Sequence, residues 1–306
     1  MRIRIALALA ALATAATLLQ PGAARADLVP ATSGTLTMTS DPGDWLGGGQ
    51  SYSFATPDAS FLTHGDALYF DGNYVRVWMN APNDWWDLEF QAPTGQRLAS
   101  GVTYSGAVRG PQSSPPPGDL PRMDVFGDGR GCNTLVGSFT VHDVVYGPYG
   151  YLQRLHVSFE DHCEGADPAL RGELDVTAPP APPAQDVHVT VEPGGVVVRP
   201  GGGAFVHGTI SCAVPYSAYV DVSVNEQTKK GVVSGTAWSV PVDCPGPTPT
   251  AWSATVRSDS GASFAAGSAQ VTASTGAFDA TYTQYLGQNP VYVYASQTAN
   301  VQLVVR

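Results

Sequence analysis

Hydrophobic and polar residues alternate along residues 187–306. Successive side chains of a strand point to opposite faces, so a period of two predicts strands with one buried face. We therefore expect seven or eight antiparallel strands in an immunoglobulin-like β-sandwich, although Trp252 follows the second cysteine instead of lying between the two as in immunoglobulins. The residues expected on the buried face of their strands, which we call the apolar parity, are Val187, Val189, Val191, Val206, Ile210, Cys212, Val220, Val222, Val224, Trp238, Val240, Val242, Cys244, Trp252, Ala254, Val256, Val301, Leu303 and Val305.

The first half of the chain contains a β-hairpin. The segments "GSFTVHDVV" and "LQRLHVSFE" flank the turn "YGPYGY". Centring the turn near Tyr149 pairs Phe139 with Phe159 on one face, and it pairs Val141 with Val157 there. The same register places His142 opposite His156, and Thr140 opposite Ser158, on the polar face.

Composition supports an all-β chain of two sandwich-like domains. The chain has 34 glycines and 25 prolines, and only 13% of its residues are charged. Short apolar runs broken by such residues are typical of sandwiches and barrels. The segment "TAPPAPPAQD", residues 177–186, predicts a semi-rigid linker between a domain at 27–176 and one at 187–306. A second proline cluster, residues 110–121, predicts a surface loop.

Residues 1–26 have the pattern of a secretory signal peptide. Two arginines precede an apolar run, and the small-residue site "ARA" predicts cleavage before Asp27. Removing this leader lowers the net charge from −11 to −14, which disfavours nucleic acid as a partner. No later stretch is apolar over the ~18 residues that a span requires, so we expect a secreted protein without a transmembrane anchor.

Four cysteines in an exported chain predict two disulfides, for which three pairings are possible. The linker separates Cys132 and Cys163 from Cys212 and Cys244, which favours one bridge in each half. Each bridge would close a loop of about 30 residues and contribute roughly 3–4 kcal/mol. Because the hairpin register places Cys163 opposite Leu135, a bend or bulge must bring Cys163 to Cys132.

Several polar residues are candidates for chemistry. His142, His156 and Glu160 share the polar face of the hairpin and could hold Zn²⁺, although a solvated strand face is the simpler interpretation. The acidic segment 158–174, "SFEDHCEGADPALRGEL", lacks the ordered spacing of a calcium loop. Its adjacent His162 and Cys163 point to opposite faces of a strand and cannot chelate one ion together. We therefore interpret it as a disulfide-closed structural segment.

Two acidic pairs, Asp84 with Asp87 and Asp87 with Glu89, could form a glycosidase dyad if another acid lay beside them in space. The chain lacks the sequence motifs of serine hydrolases, metalloproteases and nucleotide-binding proteins, and we expect no cofactor.

Aromatic residues concentrate between positions 69 and 86. Exposed rings on β-sandwiches stack on sugars, whereas core packing is the ordinary role of large aromatic residues. Adjacent Trp85 and Trp86 would point to opposite faces, so we expect at most one of them in the core. The candidate sugar-binding surface comprises Trp78, Trp85 and Trp86, with Tyr69 and Tyr74 nearby.

Two resemblances accompany these patterns. Residues 129–174 resemble a module of uncharacterised bacterial exported proteins, in which C-N-x-x-x-G-x-F and F-E-x-H-C-E-G-x-x-P-A-L-x-G segments bracket a hairpin. The second half, through "GTISC", "VPVDC" and "WSATV", resembles immunoglobulin-like modules of actinobacterial secreted proteins. The resemblances imply accessory extracellular β-domains and supply no active residues.

These observations together predict a secreted, non-enzymatic binding or adhesion protein of the cell envelope or extracellular space. Its expected partner is an extracellular ligand, either a polysaccharide or an envelope protein. The first alternative is a carbohydrate-binding module that uses the tryptophan-rich strands of the first half. The second alternative is a secreted hydrolase.

Overall fold

The computed structural model describes residues 28–66, 74–110, 119–286 and 291–305, and it is almost entirely β. The predicted leader, Tyr69 and most of the second proline cluster lie outside these residues. The all-β fold class is confirmed. Within the described ranges, we find no helix with the length and apolar character needed to cross a membrane.

Eleven strands form the first sheet, which is antiparallel except where β7 and β8 pair in parallel. A 3-10 turn at Pro148–Gly150 joins β9 to β10. The order across the sheet is β1-β4-β5-β6-β8-β7-β9-β10-β11-β2-β3. The strands are β1 (Val29–Pro30), β2 (Ser33–Ser40), β3 (Ser51–Ala55), β4 (Ser60–Asp66), β5 (Tyr74–Ala81), β6 (Asp84–Gln91), β7 (Val102–Arg109), β8 (Arg122–Gly127), β9 (Leu135–Tyr146), β10 (Leu152–Cys163) and β11 (Leu170–Thr177).

Eight strands form the second sheet, in the order β12-β14-β13-β19-β18-β15-β16, and β17 pairs with the other edge of β14. Strand β19 pairs in parallel with β13 and antiparallel with β18. The elements are β12 (Val187–Val189), β13 (Gly194–Val198), β14 (Gly203–Cys212), β15 (Tyr216–Thr228), β16 (Gly231–Cys244), β17 (Thr250–Val256), β18 (Gly267–Asp279), α1 (Ala280–Leu286) and β19 (Val291–Val305).

Each sheet encloses its own hydrophobic cluster. In the first sheet, Tyr52 on β3 and Trp86 on β6 have ring centroids 5.3 Å apart, although β3 is an edge strand far from β6 in strand order. The first sheet therefore folds over on itself and buries one face. In the second sheet, the predicted alternation holds for β12, β14, β15 and β17, whose apolar parity is buried.

Two residues of the predicted apolar parity are instead exposed. Val305, at the end of β19, is exposed. Trp238 is 74% exposed because β16 has a bulge opposite Asp221, where Ser239 adopts a φ of +54°. The extra residue moves Trp238 to the solvent parity, while Val240 and Val242 still pack against the core. The predicted inward position of Trp238 was wrong.

The predicted linker, residues 177–186, is fixed between the sheets. The backbone N–H of Gln185 donates to Asp279 at 2.7 Å, and the hydroxyl of Tyr282 donates to the carbonyl of Pro182 at 2.6 Å. Tyr282 also packs on Tyr149 of the hairpin turn, with ring centroids 5.0 Å apart. This segment is therefore packed, and the division of the chain into two domains joined by a linker stays a prediction.

The hairpin of β9 and β10 has the predicted register near its open end. Phe139 pairs with Phe159, Thr140 with Ser158, and Cys163 with Leu135. A bulge follows between His156 and Val157, so His156 pairs with Asp143 and not with His142.

Both predicted disulfides are present. Cys132 is bonded to Cys163, and Cys212 is bonded to Cys244. No cysteine of the described chain is free.

Candidate functional site

The histidine pair of the hairpin remains close despite the bulge. The rings of His142 and His156 have centroids 4.6 Å apart. Each ring nitrogen Nε2 already has a partner, since His142 contacts Ser158 Oγ at 2.9 Å and His156 contacts Glu173 at 2.7 Å. The pair lies on the solvent face of the sheet.

Glu160, the third predicted metal ligand, points to other partners. It binds His162 Nε2 at 2.9 Å and accepts from Arg171 at 2.7 Å. In the part of the chain that the structure describes, no group of three or more His, Cys, Asp or Glu side chains is placed to hold a metal ion. The predicted ligands His142, His156 and Glu160 therefore do not converge.

The contacts of the acidic segment 158–174 hold the end of β10 in place. The carboxylate of Glu164 accepts from the Asn133 side-chain amide and the Thr134 hydroxyl, both at 3.0 Å. These bonds tie the end of β10 to the loop that carries Cys132. The acidic segment thus lies at the open end of the hairpin, where the Cys132–Cys163 disulfide joins it to the loop before β9.

One carboxyl of this segment is buried in the core. Asp161 is 1% exposed, and its Oδ2 has no hydrogen-bond partner among the described residues. Burial, reinforced by the charges of Asp124 and Asp44, raises the pKa of Asp161 from 3.8 to about 7. The folded protein therefore holds this proton at pH values where the unfolded chain has released it.

Asp161 should make the protein less stable as the pH rises from about 4 to about 7, because the folded state retains a proton that the unfolded state loses. We expect Asp161→Asn to raise Tm, and the gain to be larger at about pH 8 than at about pH 5. Thermal melts of both proteins at the two pH values measure this difference. A gain in Tm that is equal at both pH values would contradict the buried, protonated carboxyl.

The tryptophans of the predicted sugar-binding surface separate between the two faces of the first sheet. Trp86 is 0% exposed and belongs to the core, so its assignment to the surface was wrong. Trp78 and Trp85 are half-buried on the opposite face, with ring centroids 6.3 Å apart, and Phe126 lies 6.1 Å from Trp85. These three rings form a compact aromatic group on β5, β6 and β8.

Three carboxyl groups lie beside these rings. Asp87 pairs across the strands with Phe126, and Glu89 pairs with Asp124. Asp84 is not part of this group, because it has the parity of the buried Trp86. The cluster of Asp87, Glu89 and Asp124 thus unites one predicted acidic pair with a third acid from a separate strand.

Two arginines neutralise much of this cluster. Arg76 donates to Asp87 at 2.9 Å and lies 3.4 Å from Glu89, while Arg109 lies 3.3 Å from Asp124. Burial raises the pKa of Glu89 to about 7, and it raises that of Asp124 to about 6. Glu89 and Asp124 can therefore hold a proton near neutral pH, but all three carboxyls are largely shielded from solvent.

A second aromatic surface was missed by the sequence analysis. Six large aromatic side chains of the described chain are exposed, and all except Trp45 lie on the solvent face of β15, β16, β18 and β19. Phe278 and Tyr292 are opposite each other, with ring centroids 5.5 Å apart, and Tyr292 lies 6.2 Å from Tyr294. We call these five residues the aromatic face: Tyr219, Trp238, Phe278, Tyr292 and Tyr294.

Part of the aromatic face could have been predicted from the sequence. Tyr292 and Tyr294 alternate with Val291 and Val293, so one parity of "VYVY" had to carry two tyrosines. The position of Trp238 had no such signal, because the bulge at Ser239 reverses the parity that the flanking valines indicate.

No known protein family matches the chain, and no curated protein is significantly similar to it. The two resemblances to modules of exported proteins therefore remain predictions. The geometry of the aromatic face and of the carboxyl cluster is the basis for the functional proposal.

Proposed function

We propose that this is a secreted, non-enzymatic binding or adhesion protein whose ligand contacts the aromatic face. The observation that carries this proposal is the gathering of five exposed aromatic residues on one sheet face. A contiguous apolar patch on a soluble protein is characteristic of an interaction site, whereas isolated exposed rings are ordinary. Aromatic residues also dominate the energetics of binding surfaces.

The extracellular location follows from the predicted leader, and the two disulfides are compatible with it. The expected ligand is a polysaccharide or an envelope protein. The net charge, which removal of the leader lowers from −11 to −14, argues against nucleic acid. We further propose that residues 187–306 form an immunoglobulin-like sandwich that presents the aromatic face.

Retention on insoluble envelope material tests the binding function. We expect the double variant Trp238→Ala/Tyr294→Ala to lose at least tenfold in apparent affinity, because it removes the two most exposed rings of the face. Trp45→Ala is the matched control, since Trp45 is 65% exposed but lies in the first half of the chain. Equal loss in both proteins, or no loss in the double variant, would contradict the proposal.

The tryptophan group of the first sheet is an alternative ligand surface. Trp78→Ala/Trp85→Ala in the same retention assay measures its contribution. The aromatic face is the better candidate because Trp78 and Trp85 are half-buried against each other, which leaves less ring surface for a ligand.

A hydrolase is the second candidate, and the carboxyl cluster favours it. Burial raises the pKa of Glu89 to about 7, so Glu89 could act as a general acid beside Asp87, the second carboxyl of the dyad. If so, the protein should release reducing sugar from a polysaccharide panel, and Glu89→Gln should abolish the release. The absence of any turnover in the unmodified protein would dismiss this candidate.

A further inference from the structure

We infer that the aromatic face binds the surface of a neutral, insoluble polysaccharide, and this inference rests on the proposed binding function. The step beyond that function is the class of ligand. The side-chain chemistry of the face, the exposure of its rings and the charge of the chain each support it.

The side chains of the face suit a sugar. Tyrosine and tryptophan combine an apolar ring with a polar tip, which matches the apolar faces and hydroxyl edges of pyranose rings. The polar residues around them are mostly uncharged, and Thr272 and Thr298 share a hydrogen bond at 2.8 Å. In the described strands, the charged residues on this face are Asp221 and Asp243. Asp221 already accepts the N–H of Ser239 at 2.8 Å.

Two of the rings, those of Tyr294 and Tyr219, stand two strands apart on the sheet. Tyr294 pairs with Gly276, and Tyr219 lies beside Gly276 on the next strand, since the hydroxyl of Thr275 donates to the carbonyl of Tyr219 at 2.8 Å. Two strand spacings, about 10 Å, therefore separate the backbones of Tyr294 and Tyr219. A disaccharide unit can bridge this distance.

Gly276 leaves the centre of the aromatic face without a side chain. A Cβ atom at this position would lie 3.0 Å from the ring of Tyr294, so a larger residue would require this ring to shift away from the backbone. The five rings are between 47% and 76% exposed. They therefore project from the sheet into solvent and do not line a cleft. An open surface of this kind can contact a solid, which could not enter a cleft.

Other occupants fit less well. The five rings expose roughly 460–770 Å², given about 150–250 Å² per ring and their exposed fractions, so a protein partner would have to bury further residues to reach the ~800 Å² per partner of a stable protein interface. A second copy would also bring another net charge of −11. The same negative charge disfavours anionic polysaccharides and anionic membranes.

The test is sedimentation of the purified protein with microcrystalline cellulose and with chitin. We expect retention at about 1 M salt as well as at about 0.1 M, because ring stacking is screened little by ions. Soluble oligosaccharides of the same sugars should compete weakly. Tyr292→Ala/Tyr294→Ala and Trp238→Ala should each reduce retention at least tenfold, while Trp45→Ala leaves it unchanged. Thermal melts confirm that these surface variants fold.

The outcomes separate the inference from the function on which it rests. Retention on envelope material that depends on the face, without retention on either neutral polysaccharide, would overturn the polysaccharide inference and keep the binding function. Retention on cellulose or chitin that the face variants preserve in full would overturn both. Strong binding to anionic vesicles, or dimerisation through the face, would also overturn the polysaccharide inference.

Discussion

Trp86→Ala should lower the free energy of unfolding by about 3–5 kcal/mol, the cost of removing a large buried aromatic residue from a core. Trp86 is fully buried on β6, and it contacts Tyr52 of β3 with ring centroids 5.3 Å apart. The contact joins two distant parts of the folded-over sheet, so neighbouring side chains cannot easily fill the cavity. Urea denaturation followed by circular dichroism measures the change.

Trp238→Ala is the matched control for Trp86→Ala. The ring of Trp238 is 74% exposed, so its removal should change the free energy of unfolding by no more than about 0.5 kcal/mol. Similar effects of the two substitutions would show that Trp86 does not lie in the core. Similar effects would also make Trp86 a candidate for the sugar-binding surface again.

Replacing both cysteines of the first disulfide, as Cys132→Ala/Cys163→Ala, should lower the free energy of unfolding by roughly 3–4 kcal/mol. The bond closes a loop with a sequence separation of 31, which restricts the unfolded chain. Both side chains are also buried, so some packing is lost on replacement. Denaturant unfolding of the variant against the unmodified protein gives the difference.

Cys212→Ala/Cys244→Ala provides the comparison, because its loop has a nearly identical sequence separation of 32. The two double variants should lose similar amounts of stability if loop closure dominates. A change below about 1 kcal/mol in either one would contradict the expected contribution of that disulfide.

The sequence predicted the parts of this fold that depend on local pattern. Alternation identified most strands of the second sheet, and the pairing of Phe139 with Phe159 followed from hydrophobic matching. Bulges were the first limit on the prediction. One extra residue reverses the parity of the strand on one side of the bulge relative to the other side. The bulge at Ser239 exposed Trp238, and the one after His156 made Asp143, and not the predicted His142, its cross-strand partner.

Pairings between distant strands were the second limit. Glu89 lies beside Asp124 because β6 pairs with β8, and no local pattern encodes that neighbour. The aromatic face likewise combines residues from four strands separated by loops and a helix. Tyr219 and Tyr294 are distant in sequence, so only the strand order of the sheet shows that they share a surface.

The aromatic face as the ligand surface is the central claim, and oxidative footprinting tests it most directly. Hydroxyl radicals label exposed aromatic rings, and mass spectrometry locates the label in the free protein and in the protein bound to cellulose or chitin. We predict that binding protects Trp238, Tyr292 and Tyr294 and leaves the labelling of Trp45 unchanged. Protection of Trp78 and Trp85 instead, or unchanged labelling throughout the aromatic face, would contradict the claim.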